Sequence, residues 1–182
     1  MKYMSGNFNV FGKYTYNDFF VETGSYKGQG IDFALESGFK SIVSIEITEL
    51  YYKLCKEKYK DNKGVIIVLG DSSKVLKSII SKINKSITFW LDGHYCEPTT
   101  TFSNEAGWFP ILQELDAIKQ HKIKNHTILI DDWRCFDRSY PYYTQHNISQ
   151  EMIKNKILEI NSNYKFSYED GYTPNDVFVA QF

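Results

Sequence analysis

Residues 19–35 read FFVETGSYKGQGIDFAL: an apolar run of strand length ends on a carboxylate, Glu22, and three glycines, Gly24, Gly28 and Gly30, lead into a helical pattern. A strand, a glycine-rich turn and a helix in that order make the first half of a βαβ unit. The alternation continues almost to the end of the chain. Apolar segments at 18–22, 41–46 (SIVSIE), 65–69 (VIIVL), 87–91 (ITFWL) and 127–130 (TILI) are separated by stretches with helical periodicity. That pattern predicts an α/β fold built on a doubly wound, mostly parallel sheet. The ending, NYKFSYEDGYTPNDVFVAQF, reads differently: two short strands joined through Asp170, Gly171, Pro174 and Asn175, hence an antiparallel C-terminal hairpin at the sheet edge.

The helical stretches carry their own signals. Ile31, Ala34 and Leu35 share a face that stops at Gly38. Thr48 is placed to cap a helix bearing Leu50, Leu54 and Cys55, and Ser72 or Ser73 to cap one bearing Val75, Leu76, Ile79, Ile80 and Ile83. Pro110 suits the first turn of a helix with Ile111, Leu112, Leu115 and Ile118 on its buried side. A last helix runs from about Ser149 to Ile160. The 182 residues fit a single domain, 1–182, with an N-terminal extension over 1–16. Two irregular segments, about 92–109 and 132–148, follow strand ends and are expected to act as lids over the crevice of such a sheet.

Composition narrows the function classes. Apolar residues make up 42% and charged residues 24% of the chain, as in ordinary globular domains, whereas 14 Tyr and 13 Phe make it unusually aromatic. A formal net charge of -1 provides no bulk positive field for nucleic acid or an anionic membrane. The N-terminus lacks the apolar core of a signal peptide, and no run approaches the roughly 18 apolar residues of a membrane span, so a cytoplasmic protein is expected. Cys55, Cys96 and Cys135 are an odd set without CxxC spacing and read as reduced thiols, the latter two as small pocket-lining groups. A homo-oligomer is compatible with a chain this short, in which a neighbouring subunit would help the lids to close the site.

Every strand end carries an acid: Glu22, Glu46, Asp71, Asp92, and the adjacent pair Asp131 and Asp132. In a parallel sheet these ends share one edge, where repulsion and desolvation favour a ligand of positive character. Asp71 is equally placed to cap the following helix, and Asp131–Asp132 to form a turn. With Asp92 the pair also offers oxygen ligands to a divalent cation. Glu46, after the second strand, is placed to accept both ribose hydroxyls of a nucleotide-like ligand. The glycines run GxxxGxG instead of GxGxxG, with Phe33 at the third position counted from Gly28, so they support close backbone approach and not pyrophosphate binding.

Taken in order, Glu22-x-Gly24-x-x-x-Gly28, Glu46, Gly70-Asp71-Ser72 and Leu91-Asp92-Gly93-His94 resemble the class I S-adenosylmethionine-dependent methyltransferases. WLDGHY and ILIDDW look like the divalent-metal-dependent O-methyltransferases within that group, including macrocin-type sugar enzymes and, more distantly, catechol O-methyltransferase. The resemblance covers about residues 17–182 and implies a Rossmann-like sheet with a closing hairpin. It implies Glu22 and Gly24 beside the methionine part of the cofactor, Glu46 on its ribose and Asp71 near its adenine. Ser25, Gly28, Ser72 and Asp92 complete the cofactor-binding set. It further implies Asp92, Asp131 and Asp132 as ligands of a divalent ion such as Mg2+. The sequence departs from the family in having Glu at the first strand where Asp is usual, and His94 in LDGHY where sugar enzymes show an Asp before the His. His94 and Asp92 are the candidate catalytic residues, His94 as base or substrate contact; its alternative is a loop histidine bonded to backbone. His121 and His126, beside a helix-to-strand turn, are expected to face solvent, and His146 lies in a lid. Tyr95, Trp108, Trp133, Arg134 and Tyr140 are placed either to stack on an acceptor or to pack the lids together. The expected reaction is O-methylation of a small molecule or sugar. An NAD-dependent oxidoreductase and a non-catalytic Rossmann-like binding module are the alternatives.

Overall fold

The computed structural model describes residues 8–95, 100–141 and 143–182. Runs of Val, Ile and Phe favour extended backbone because branched and aromatic side chains pack well on a pleated surface. They give β1 (Phe19–Thr23), β2 (Ser41–Glu46), β3 (Val65–Leu69), β4 (Ile87–Leu91) and β5 (Thr127–Ile130). Between them lie α1 (Gln29–Glu36), α2 (Glu49–Lys58), α3 (Ser72–Ile80) and α4 (Ile111–Gln120). The chain closes with α5 (Gln150–Ile160), β6 (Lys165–Glu169) and β7 (Val177–Gln181).

The seven strands form one sheet in the order β3-β2-β1-β4-β5-β7-β6. β1 to β5 pair in parallel, and β7 runs antiparallel to both β5 and β6. The expected hairpin is therefore present, with its second strand inserted against β5. One face buries Val21, Ile45, Phe89, Leu91, Ile128, Ile130 and Phe178 under Leu76 of α3, Leu115 and Ile118 of α4, and Ile153 and Ile157 of α5. The other buries Phe20, Ile42, Trp90 and Leu129 under Ile31 and Ala34 of α1 and Cys55 of α2. Within the N-terminal extension, a 3-10 turn over Phe8–Lys13 brings Phe11 against Phe20 and Trp90 at ring distances of 4.9 and 4.8 Å.

Three local expectations change. Asp71 is the N-cap of α3 and accepts from Ser73 N at 3.0 Å, because its carboxylate reaches the free N–H groups that neither Ser72 nor Ser73, already inside the helix, satisfies. On α2 the buried residues are Tyr51 and Cys55, while Leu50 and Leu54 are exposed; this helix covers the end of the sheet, and only one narrow stripe meets it. His121 and His126 are buried, at 4% and 1% exposure.

The two imidazoles form a directed chain. Ile87 N–H donates to His126 Nδ1 at 3.1 Å, so the proton of a neutral His126 sits on Nε2, facing His121 Nδ1 at 3.0 Å. His121 then donates through Nε2 to the Ile83 carbonyl at 2.8 Å. Extra protons have no acceptor in this arrangement. Burial, followed by the neighbouring His121, lowers the His126 pKa to about 4 from its ordinary 6.5. The unfolded chain therefore binds that proton more readily, and the stabilisation from neutral His126 is complete above pH 6.5 and is lost as pH falls towards 4. Between pH 7 and pH 4 the wild type should lose about 3 kcal/mol relative to His126→Gln, which lacks the titrating group. Urea unfolding of both proteins across this range measures the gap, and a pH-independent gap contradicts a buried neutral His126.

Candidate active site

The chain runs outward from β1 to β3, then returns to place β4 beside β1, so the crevice of this sheet lies beyond the ends of β1 and β4. There Gly24 has φ 86°, and a Cβ at this position would strike the Asp92 carbonyl. The two strand-end loops are in backbone contact, which only glycine permits. Gly28, at φ 80°, has a different reason: a Cβ would lie 2.6 Å from the Tyr59 hydroxyl, which bonds the Gly28 carbonyl.

The strand-end acids are neutralised in different ways. Glu22 is buried beneath the loop, where Ser44 Oγ donates to Oε2 at 2.5 Å and itself lies 2.5 Å from Ser25 Oγ. Burial pushes the Glu22 carboxyl well above its ordinary pKa, against the opposing Ser44 bond. Glu46 accepts backbone N–H groups from Tyr26 and Thr48, both at 2.7 Å. Asp71 accepts from Ser73 through Oδ1 and from Ser103 Oγ, at 2.6 Å, through Oδ2. That bond, with Thr101 N to Thr48 Oγ1 at 3.0 Å and the Lys74–Glu105 pair at 2.8 Å, straps segment 100–109 across the ends of β2 and β3.

Beyond β4 and β5 the structure brings Asp92, His94 and Asp132 together. His94 Nδ1 lies 3.1 Å from Asp92 Oδ1 and its Nε2 lies 2.9 Å from Asp132 Oδ2. Burial alone would lower the His94 pKa, but the bonds to Asp132 and Asp92 outweigh it and hold the imidazole well above its ordinary value. The imidazolium is the cation between two carboxylates. Burial raises Asp92 against the pull of His94, whereas at Asp132 His94 and Arg134 overcome burial and bring the carboxyl down to about 2. Phe109 stacks on the His94 ring at 5.5 Å and 16°, fixing its plane. One donor atom from each of Asp92, His94 and Asp132 falls within 4.8 Å of the others, a spacing that suits a metal ion. Asp131 is not in this group: its buried Oδ1 has no hydrogen-bond partner among the described residues, and burial raises its pKa well above the ordinary value.

Sequence reasoning passed over Glu114. It lies on the buried side of α4, accepts from Ser72 Oγ at 2.5 Å, and is raised to about 7 by burial against the Ser72 and Thr23 bonds. With His94, Gly93 and Asp131 it lines a cavity of about 10 Å³, room for one water. The signal was present: a carboxylate at helical spacing within the apolar stripe Ile111, Leu115, Ile118. Of the lid aromatics, Trp133 is committed to the core, stacked on Phe178 at 4.2 Å. Tyr95 packs against Phe102 and Trp108 within the strap. Cys135 is buried, and Cys96 lies outside the described residues. No helix of the described residues is long and apolar enough to cross a membrane.

No protein-family model matches the chain, and no curated protein matches it. Solved structures share its fold. A candidate caffeoyl-CoA O-methyltransferase from Staphylococcus aureus matches with a TM-score of 0.61 at 7% identity, over 96% of this chain and 82% of that one. A candidate methyltransferase from Streptococcus mutans, solved in complex with SAH, gives 0.56 at 14% identity over 90% and 88%. A candidate rRNA-methylase from Clostridium thermocellum gives 0.55 at 11% over 95% and 92%. The α/β, Rossmann-like architecture is thus that of the class I methyltransferases.

Replacing His94 tests the electrostatics of the site directly. His94→Leu removes the cation between Asp92 and Asp132 and should cost about 3 kcal/mol in urea unfolding at pH 7. Wild-type stability in that variant would mean the two carboxylates do not need the imidazolium.

Proposed function

We propose that the chain is an S-adenosylmethionine-dependent methyltransferase that methylates a hydroxyl of a small molecule or sugar with help from a divalent cation. The observation that carries this reading is the contact of Gly24 with Asp92 at the β1–β4 crevice, with Glu46 at the next strand end, in a sheet of methyltransferase order. Glu46 suits a ribose: it is a carboxylate just beyond the second strand, oriented by the backbone N–H groups of Tyr26 and Thr48. Gly24 and Asp92 offer bare backbone to the methionine part. Glu22, Ser25, Gly28 and Ser72 support the two loops from beneath through the bonds already described. The formal net charge of -1 favours a small acceptor over a nucleic acid.

The donor set also fits a cation. Asp92 and Asp132 would hold it, since carboxylates suit Mg2+ or Mn2+. When bound, a dication supplies neutralisation of the carboxylates that keep His94 protonated and lowers the pKa of a coordinated hydroxyl. The chain's own residues do the rest. Asp92 and Phe109 hold the imidazole plane, neutral His94 accepts the hydroxyl proton at Nε2, and segment 100–109 excludes water from the crevice. Asp131 Oδ1, without a hydrogen-bond partner among the described residues, would accept from a water in the adjoining cavity.

Isothermal titration with S-adenosylmethionine and S-adenosylhomocysteine tests the cofactor. The wild type should bind both, Glu46→Ala at least about tenfold more weakly through loss of charged hydrogen bonds, and NAD should give no heat. Folded wild-type protein that binds neither sulfur compound removes the proposal.

A further inference from the structure

Five ionisable groups of alternating charge run across the site in the order Asp92, His94, Asp132, Arg134, Asp176. The last belongs to the link between β6 and β7, 44 residues beyond Asp132 in the numbering, and is 1% exposed. Its three oxygens all serve the 3-10 turn that follows Asp132, Trp133–Phe136. The Asp176 carbonyl accepts from Trp133 N at 2.8 Å, Oδ1 accepts from Arg134 N at 3.1 Å, and Oδ2 accepts from Arg134 Nη1. The same Nη1 donates to Asp132 Oδ1 at 2.6 Å, and Tyr172, from the same link, places its ring 5.1 Å from the guanidinium.

Asp132 needs this support. It is a non-glycine residue at φ 51° and ψ 40°, a left-handed conformation that side chains rarely adopt unless the surroundings hold them there. It has no side-chain cap bond into its own turn. Shared with Asp176, Arg134 bonds only Oδ1 of Asp132, and Oδ2 faces His94.

We propose that Asp176 is a positioning residue for the cation site: by sharing the Arg134 guanidinium and anchoring the backbone of residues 133 and 134, it fixes Asp132 with one oxygen directed at His94. This rests on the methyltransferase reading in placing a cation at Asp92 and Asp132. It makes the C-terminal hairpin part of the site as well as the edge of the sheet. Mn2+ replaces Mg2+ at oxygen-rich sites and reports binding without any turnover.

Wild type, Asp176→Asn, Arg134→Lys and Asp170→Asn are titrated with Mn2+, reading the free ion by electron paramagnetic resonance at a temperature where circular dichroism shows folded protein. Asp176→Asn and Arg134→Lys should bind about 10–100-fold more weakly, the usual effect of removing a partner that orients a metal ligand. Asp170, exposed in the same link and bonded to Asn175 N, provides the control and should leave affinity unchanged. Wild-type affinity in folded Asp176→Asn overturns the inference, and if that variant does not fold, wild-type affinity in Arg134→Lys overturns it instead. An equal loss in Asp170→Asn also overturns it, by showing general loosening of the link. Wild-type protein that binds no Mn2+ removes the cation reading and this inference with it.

Discussion

Burial of β1, β4 and β5 on both faces is the constraint from which the site follows. A strand covered on both sides tolerates polar side chains only where they are hydrogen-bonded, as Thr88 is to the Tyr14 carbonyl, so charge gathers where the strands near their ends. Because the strands are parallel, those ends meet along one edge, and Glu22, Asp92, Asp131 and Asp132 arrive there together. Their burial is only partly relieved by solvent. The edge must therefore supply its own counter-charges, and the arrangement beyond β4 and β5 is organised around doing so.

Each acid finds a different solution. Burial pushes the Glu22 carboxyl well above its ordinary pKa, with Ser44 donating to it and Ser25 beyond, and Glu46 leans on backbone N–H groups. Asp71 becomes a helix cap. Asp92 and Asp132 share His94, and Asp132 also shares Arg134 with Asp176. What remains without a hydrogen-bond partner among the described residues is one oxygen of Asp131, next to the cavity that Glu114 also lines. The surplus of negative charge that the sequence suggests is thus smaller in the folded chain, and it is concentrated at the β4–β5 end.

The limits of what could be read from the chain follow the same division. SIVSIE, VIIVL, ITFWL and TILI become strands with the boundaries their composition implies, because a short run of branched and aromatic residues has few other ways to bury itself. The acids at their ends are equally visible. His94 and Arg134, each two residues beyond an acid that it pairs with, are visible too; Asp176, which shares Arg134, and Ser72, which bonds Glu114, come from distant segments with no local signature. The same holds for His121 and His126: their position beside a turn suggests exposure, yet Ile87, which opens β4, and Ile83, just before it, supply the missing partners. For α2 the apolar stripe Leu50, Leu54 points outward because the helix sits at the margin of the sheet, where Tyr51 and Cys55 suffice.

The strap over 100–109 sets the energetic terms on which the crevice opens. The cavity beside His94, lined by Phe109 from that strap, has room for one water, so a larger ligand enters it only if its walls move. Lifting the strap's first half breaks, among the described residues, the hydrogen bonds of Thr101 to Thr48 and Ser103 to Asp71, together with an exposed Lys74–Glu105 pair that salt already weakens. At about 1 kcal/mol for each hydrogen bond, the closed form holds an advantage of about 2 kcal/mol, which lowers apparent ligand affinity roughly thirtyfold. A ligand that replaces those bonds recovers the difference. Thr48 lies two residues beyond Glu46 and Asp71 just beyond the neighbouring strand β3, so the groups that the strap holds belong to the same sheet edge as Glu46. On the proposed reading, closure and ligand recognition would compete for atoms at this edge.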